Sequence, residues 1–317
     1  MKKTLSSIMV MVMGIGIGLV FTNPASAEVN LPNSNEKFEI VKTHDGRIKG
    51  VEYSENLKVE QIDHILNEMG FSQDEISKMN GQLKKDIAKA GGKKASLEFL
   101  KKEHEYTNLK GNKYIIGDHN KESIKNIETE DINEILNRNF KKSNAIQYMD
   151  PPSMVTDQGQ TFNLMAIYQG EQGSNYVYQV FSSQFWNEMP RIRGNDTLGI
   201  AWGDKAKALD NTDSARQSWF AGDEFEQTLK ADRSSIYGTQ WKIPEINNST
   251  SRGVYTSQKI SIPTQYKNSK INISAGFVHG WGQPNYSFNF GPSATIDLSN
   301  ANGHHKWSLN YNINVGS

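Results

Sequence analysis

The chain has 317 residues, with 35 basic side chains against 35 acidic ones and no cysteine. Balanced charge removes the electrostatic case for nucleic-acid binding, which needs clustered Lys and Arg. The lack of cysteine excludes disulfides, a thiol nucleophile and Cys-ligated zinc, so stability must come from core packing or a bound ion.

The first 27 residues read as an export signal. Lys2 and Lys3 give a positive start, an apolar run follows from Ile8 to Phe21, and Pro24 precedes the small-x-small site Ala25-Ser26-Ala27. The run covers 14 positions, short of the roughly 20 needed to cross a bilayer. Cleavage after Ala27 is therefore expected, giving a secreted, extracellular chain with no transmembrane anchor. The Lys/Asn-rich, cysteine-free composition resembles that of exoproteins from Gram-positive bacteria.

Composition then divides the chain. Residues 28–150 hold 20 basic and 22 acidic residues but 8 aromatics; residues 151–317 hold 13 of each charge, 22 aromatics and all six tryptophans. The shift predicts a charged, mainly helical N-terminal unit over 28–150 and an aromatic-rich antiparallel β domain over 151–317, an α+β chain. Asp150-Pro151-Pro152 is the expected joint, since two prolines disfavour helix.

In the first segment Val59, Ile62, Ile65, Leu66 and Met69 fall at helical spacing, with Gly70 placed to end the helix. Ser72 and Glu75 form a capping-box pattern for a second helix. A third holds Leu83 and Ile87 and stops at Gly91-Gly92, and a hairpin over Leu97–Tyr106 and Tyr114–Ile116 turns at Lys110-Gly111-Asn112. A further helix is expected around Asp131–Leu136.

The second segment alternates instead. Trp307, Leu309, Tyr311, Ile313 and Val315 interleave with polar residues, so one face of that strand is apolar and the other wet. Related runs lie at 162–168, 176–181, 259–262, 271–277 and 286–290, with weaker ones at 197–202, 237–243 and 294–298. About nine short strands separated by Asn/Gly-rich turns predict an antiparallel sandwich or jelly roll.

Most catalytic signatures are missing. No His-Glu-x-x-His, Gly-x-Ser-x-Gly or phosphate-loop pattern occurs. His304 and His305 are adjacent at a strand start and must point to opposite faces. The stretch Gly280–Tyr286 (Gly-Trp-Gly-Gln-Pro-Asn-Tyr) puts Trp281 and Tyr286 on a turn beside His279, a pattern that suits a ligand-binding loop; the competing expectation is that Trp281 folds back to plug the core. Carboxylates gather between Asp204 and Asp232. Asp204, Asp210, Asp213 and Asp223 could hold calcium, or Asp223 and Glu226 could serve glycoside cleavage, although the interleaved Lys205, Lys207, Arg216 and Lys230 favour an ordinary solvated connection.

These features point first to a secreted, non-enzymatic binding protein for a glycan, a cell wall or a host surface. A membrane-active toxin, pore-forming or antibacterial, is the alternative carried by the amphipathic strands. A polysaccharide hydrolase using the 204–232 carboxylates is the third.

Overall fold

The computed structural model describes residues 26–29, 38–140, 160–190, 194, 196–246, 248–281, 286–298 and 301–316. The apolar run Ile8–Phe21, expected to be part of an export signal, and the expected joint at Asp150-Pro151-Pro152 lie outside them. The fold is mostly antiparallel β-sheet with a few helices.

A short ribbon of β1 (Ser26–Val29) and β2 (Phe38–Val41) leads into α1 (Val59–Glu68), α2 (Gln73–Ser77) and α3 (Gly81–Ala90). The helices start and stop where the sequence expects. Ser72 and Glu75 exchange both capping-box hydrogen bonds, the side chain of Asn80 accepts from Leu83 N at 2.7 Å, and α3 ends on Gly91 with φ +64°.

Three strands follow before the last helix: β3 (Lys93–Lys94), β4 (Leu97–Thr107) and β5 (Lys113–Ile115), then α4 (Lys121–Phe140). The remainder is β6 (Gln160–Gln172), β7 (Asn175–Trp186), β8 (Asp196–Trp202), β9 (Lys207–Ala208), β10 (Ser214–Phe220), β11 (Glu224–Leu229), β12 (Arg233–Ser235) and β13 (Gly238–Ile243). It closes with β14 (Ser251–Pro263), β15 (Lys270–Gly280), β16 (Phe288–Phe290), β17 (Ile296–Leu298) and β18 (His304–Asn314).

Two seven-stranded sheets carry the molecule. The first runs β11-β10-β14-β7-β6-β3, with β9 also on β14; the second runs β12-β13-β8-β15-β18-β4-β5. Strands from before and after residue 150 share both sheets, since β4 pairs along β18 from Thr107↔His304 to Leu97↔Ile313.

The sheets face each other across one core. Leu164, Tyr178, Val180, Val254 and Ile260 of the first meet Leu198, Ile200, Trp241, Phe277, Trp307 and Leu309 of the second, and every one of these side chains is buried. Each large side chain so removed from water contributes roughly 1.5–3 kcal/mol, which is how a chain without disulfides holds its sandwich together. The outer faces are covered too. On the first sheet, the apolar stripe of α1 and α3 (Ile62, Ile65, Leu66, Leu83, Ile87) packs on Ile167, Phe181 and Tyr255. On the second, the hairpin β16–β17 lays Phe288 and Ile296 over Gly199 and Gly276. A Cβ at either glycine would fall within 2.9 Å of those side chains, so bare backbone lets the hairpin lie flat.

Candidate functional site

The residues singled out by the aromatic-glycine stretch are gathered at one end of the sandwich, and they face inward. His279 is 1 % exposed and its Nδ1 lies 2.6 Å from Asp196 Oδ1; the same carboxylate pairs with the buried guanidinium of Arg252. Tyr286 lies over the bare backbone of Gly280, and its hydroxyl donates toward the carbonyls of Gly303 and Asn302 at 2.9 and 3.1 Å. Trp281 is half-buried, 5.4 Å from the ring of His305 and 6.1 Å from that of Tyr106, packed against the edge of the core. Residues 282–285 lie outside the described residues.

Helix α4 closes this end. Glu128 Oε1 stands 3.2 Å from His305 Nε2, and Asp131 accepts from the Tyr106 hydroxyl at 2.5 Å and from Leu109 N at 2.8 Å. His305 Nδ1 in turn lies 2.8 Å from His104 Nε2. Burial pushes His305 down to about 4, against a smaller opposing pull from Glu128, and holds the Tyr106 hydroxyl far above the usual tyrosine range. His304 faces the other way, under the Tyr286 ring, where burial lowers it to about 3. The two adjacent histidines thus sit on opposite faces, as period 2 requires.

The aspartates of the 204–232 stretch stay apart. Asp204, Asp210, Asp213 and Asp223 are each exposed, and among the described residues no group of three or more His, Asp or Glu is placed to hold a metal ion. Glu226 is paired with Arg216 at 2.5 Å. The stretch itself is ordered: it forms the hairpin β10–β11, turning at Ala221-Gly222-Asp223 with Gly222 at φ +90°.

That hairpin helps build an open groove which sequence reasoning missed. The groove lies on the outer face of the first sheet, beyond the area covered by the helices. Its first cleft, about 320 Å³, is lined by Met79 and Asn80 of the α2–α3 turn, Thr161 and Asn163 of β6, Ser183 and Phe185 of β7, and Asn187. A second, about 260 Å³, is lined by Phe185, Ser218, Trp219, Phe220, Glu224 and Ser251. Phe220 is 46 % exposed, and on the hairpin's other face Trp219 and Phe225 stack with centroids 5.7 Å apart. Amides and hydroxyls beside an aromatic ring offer hydrogen bonds in both directions together with an apolar face. The signal available in the sequence was the turn Phe220-Ala221-Gly222-Asp223-Glu224-Phe225, aromatic on both sides of a glycine.

Fold and groove together define a β-sandwich with a helical cover on one outer face and an exposed neutral cleft beside it. No protein-family model matches the chain, and no curated protein matches it. Among solved structures, it is similar to the Clostridium perfringens NetB toxin in its membrane-inserted form, at 9 % identity over 50 % of this chain and 95 % of that one, with a TM-score of 0.25. It is also similar to the Clostridium perfringens delta-toxin (7 % identity, 49 % and 85 % covered, TM-score 0.22). A third is the Streptococcus parasanguinis Fap1 fimbrial structure (10 % identity, 48 % and 78 % covered, TM-score 0.25). At these scores the likenesses carry no argument about function.

Proposed function

We propose that the chain is an exported, non-enzymatic glycan-binding protein, with the outer groove of the first sheet as its binding surface. The observation that carries this is the groove's lining: Asn80, Asn163, Asn187, Thr161 and Ser183 gathered around the half-buried ring of Phe185. Planar amides and hydroxyls match the paired donor and acceptor character of sugar hydroxyls, and an aromatic ring supports the apolar face of a pyranose.

The strands beneath the centre of the groove argue against an extended peptide. β7, β14 and β10 are each paired on both sides, so an added strand would find no edge at these three and could pair only along β6, which β3 meets at Ile167 and Tyr168. In this reading the N-terminal helices are a wall rather than an active unit, since the α2–α3 turn supplies Asn80 and Met79. Export through residues 1–27 would put the groove outside the cell, and sequencing the N-terminus of the secreted protein should return Glu28.

Titration calorimetry of residues 28–317 against neutral polysaccharides and cell-wall glycans tests the assignment. Binding weakened by Asn163→Ala and Asn187→Ala is expected. A silent panel removes the reading, and dye release from liposomes under the same conditions would favour the membrane-active alternative.

A further inference from the structure

Building on that glycan-binding reading, we infer that the two clefts are subsites of one continuous groove, whose ligand is an uncharged, linear oligosaccharide lying across the strands. Strand register puts Thr161, Phe185, Gly253 and Ser218 in a single row over β6, β7, β14 and β10. Four strands spaced about 4.8 Å apart make this row ~14 Å long, room for a chain of sugars rather than one ring.

Phe185 lines both clefts, and Gly253 stands between it and Ser218. At Gly253 a Cβ would come 3.0 Å from Phe185 Cδ2, 3.3 Å from Ser218 Oγ and 3.5 Å from Asn80 Nδ2. The Phe185 ring therefore seats against bare backbone there, between Ser218 and Asn80, and forms the surface shared by the two clefts. The far end is marked by Phe220, whose exposed ring is placed to stack on a distal sugar.

Charge selects the class of chain. Among the described lining residues only Lys78, Glu224 and Arg252 are charged. Lys78 is engaged with Asp74 at 2.5 Å, and Arg252 is buried against Asp196. Glu224 leaves a carboxylate in the second cleft, which repels an acidic polysaccharide and accepts hydrogen bonds from the hydroxyls of a neutral one.

The test is calorimetry with cello- and chito-oligosaccharides from disaccharide to hexasaccharide, with oligogalacturonates as the charged comparison. The wild-type protein should bind longer neutral chains roughly tenfold more tightly than the disaccharide, the gain levelling off once both clefts are filled. Phe220→Ala, a surface change, should weaken hexasaccharide binding roughly tenfold and disaccharide binding by less, in line with the loss of one stacking contact at the distal subsite. Gly253→Ala should do the same, and Phe220→Ala keeps the test open if the Gly253 variant fails to fold. A disaccharide bound as tightly as the hexasaccharide would overturn the inference, as would a Phe220→Ala loss equal at every length or oligogalacturonate binding on a par with neutral chains; in each of these the glycan reading survives. No binding at any length would end both.

Discussion

The end of the sandwich under α4 and the groove on the outer face of the first sheet are opposites in chemistry and in visibility. The first is crowded with the residue types associated with sites: four histidines, two tyrosines, a tryptophan, three carboxylates and an arginine, most of them sealed from solvent. The second is walled mainly by asparagine, serine and threonine around Phe185 and Phe220, and it is open. Burying charge is unfavourable unless every group is matched, so the charged end reads as a structural keystone. A surface that must exchange water for ligand is better made of neutral groups that water can satisfy in the meantime.

The sharpest way to break this contrast is to unpair the keystone. Asp196→Ala takes a carboxylate partner from the buried Arg252 guanidinium and from His279 Nδ1 at once. It should cost about 3–5 kcal/mol, read as a large drop in the urea midpoint. A small effect would mean that the buried pair is not holding the end together.

Acid should act on the same end. The folded-state value of His305 lies at about 4, below the ordinary value of 6.5. The fold therefore prefers the neutral ring, and the stability this represents is complete above about 6.5 and lost as pH falls toward 4. The slope should total on the order of 3 kcal/mol across that window, with His304, also lowered by burial, steepening it further toward pH 3. Denaturant midpoints measured from pH 7 to pH 4 check the sign, and His305→Gln should flatten the curve. Tyr286→Phe is milder. It removes one hydroxyl donating to the carbonyls of Gly303 and Asn302 and should cost about 1 kcal/mol. On the groove side, Asn187→Ala should change stability by less than about 0.5 kcal/mol, since the residue is exposed.

What the sequence made legible follows the same division. Strict alternation located β18, and Trp307, Leu309 and Ile313 do face the core. Ser72 and Glu75 announced α2 through their capping box. Both signals are local. The pairing of Leu97–Thr107 with His304–Asn314 joins segments some two hundred residues apart, and no local pattern carries that information. The hairpin β10–β11 escaped for another reason: its inward positions include the small Ala215 and the polar Gln217, so the alternation that marks a half-buried strand is faint, and its charges suggest a solvated connection. The aromatic-glycine stretch gave a pattern equally suited to a ring displayed on a turn and to a ring folded inward. What decides the matter is that Tyr286 finds bare backbone at Gly280 and two carbonyls within reach of its hydroxyl. Of the groove only the turn Phe220–Phe225 left a pattern, because the rest of its lining comes from β6, β7, β14 and a helix turn, each contributing ordinary surface residues.

The measurement that goes most directly to the central contrast is a calorimetric titration of one neutral oligosaccharide, a hexasaccharide, into three forms of residues 28–317. The wild-type protein and Trp281→Phe should bind alike, and the combined Phe185→Ala/Asn187→Ala variant should lose at least about tenfold in affinity while staying folded. Binding that survives in the combined variant and disappears in Trp281→Phe would place the ligand at the sandwich end and contradict the account.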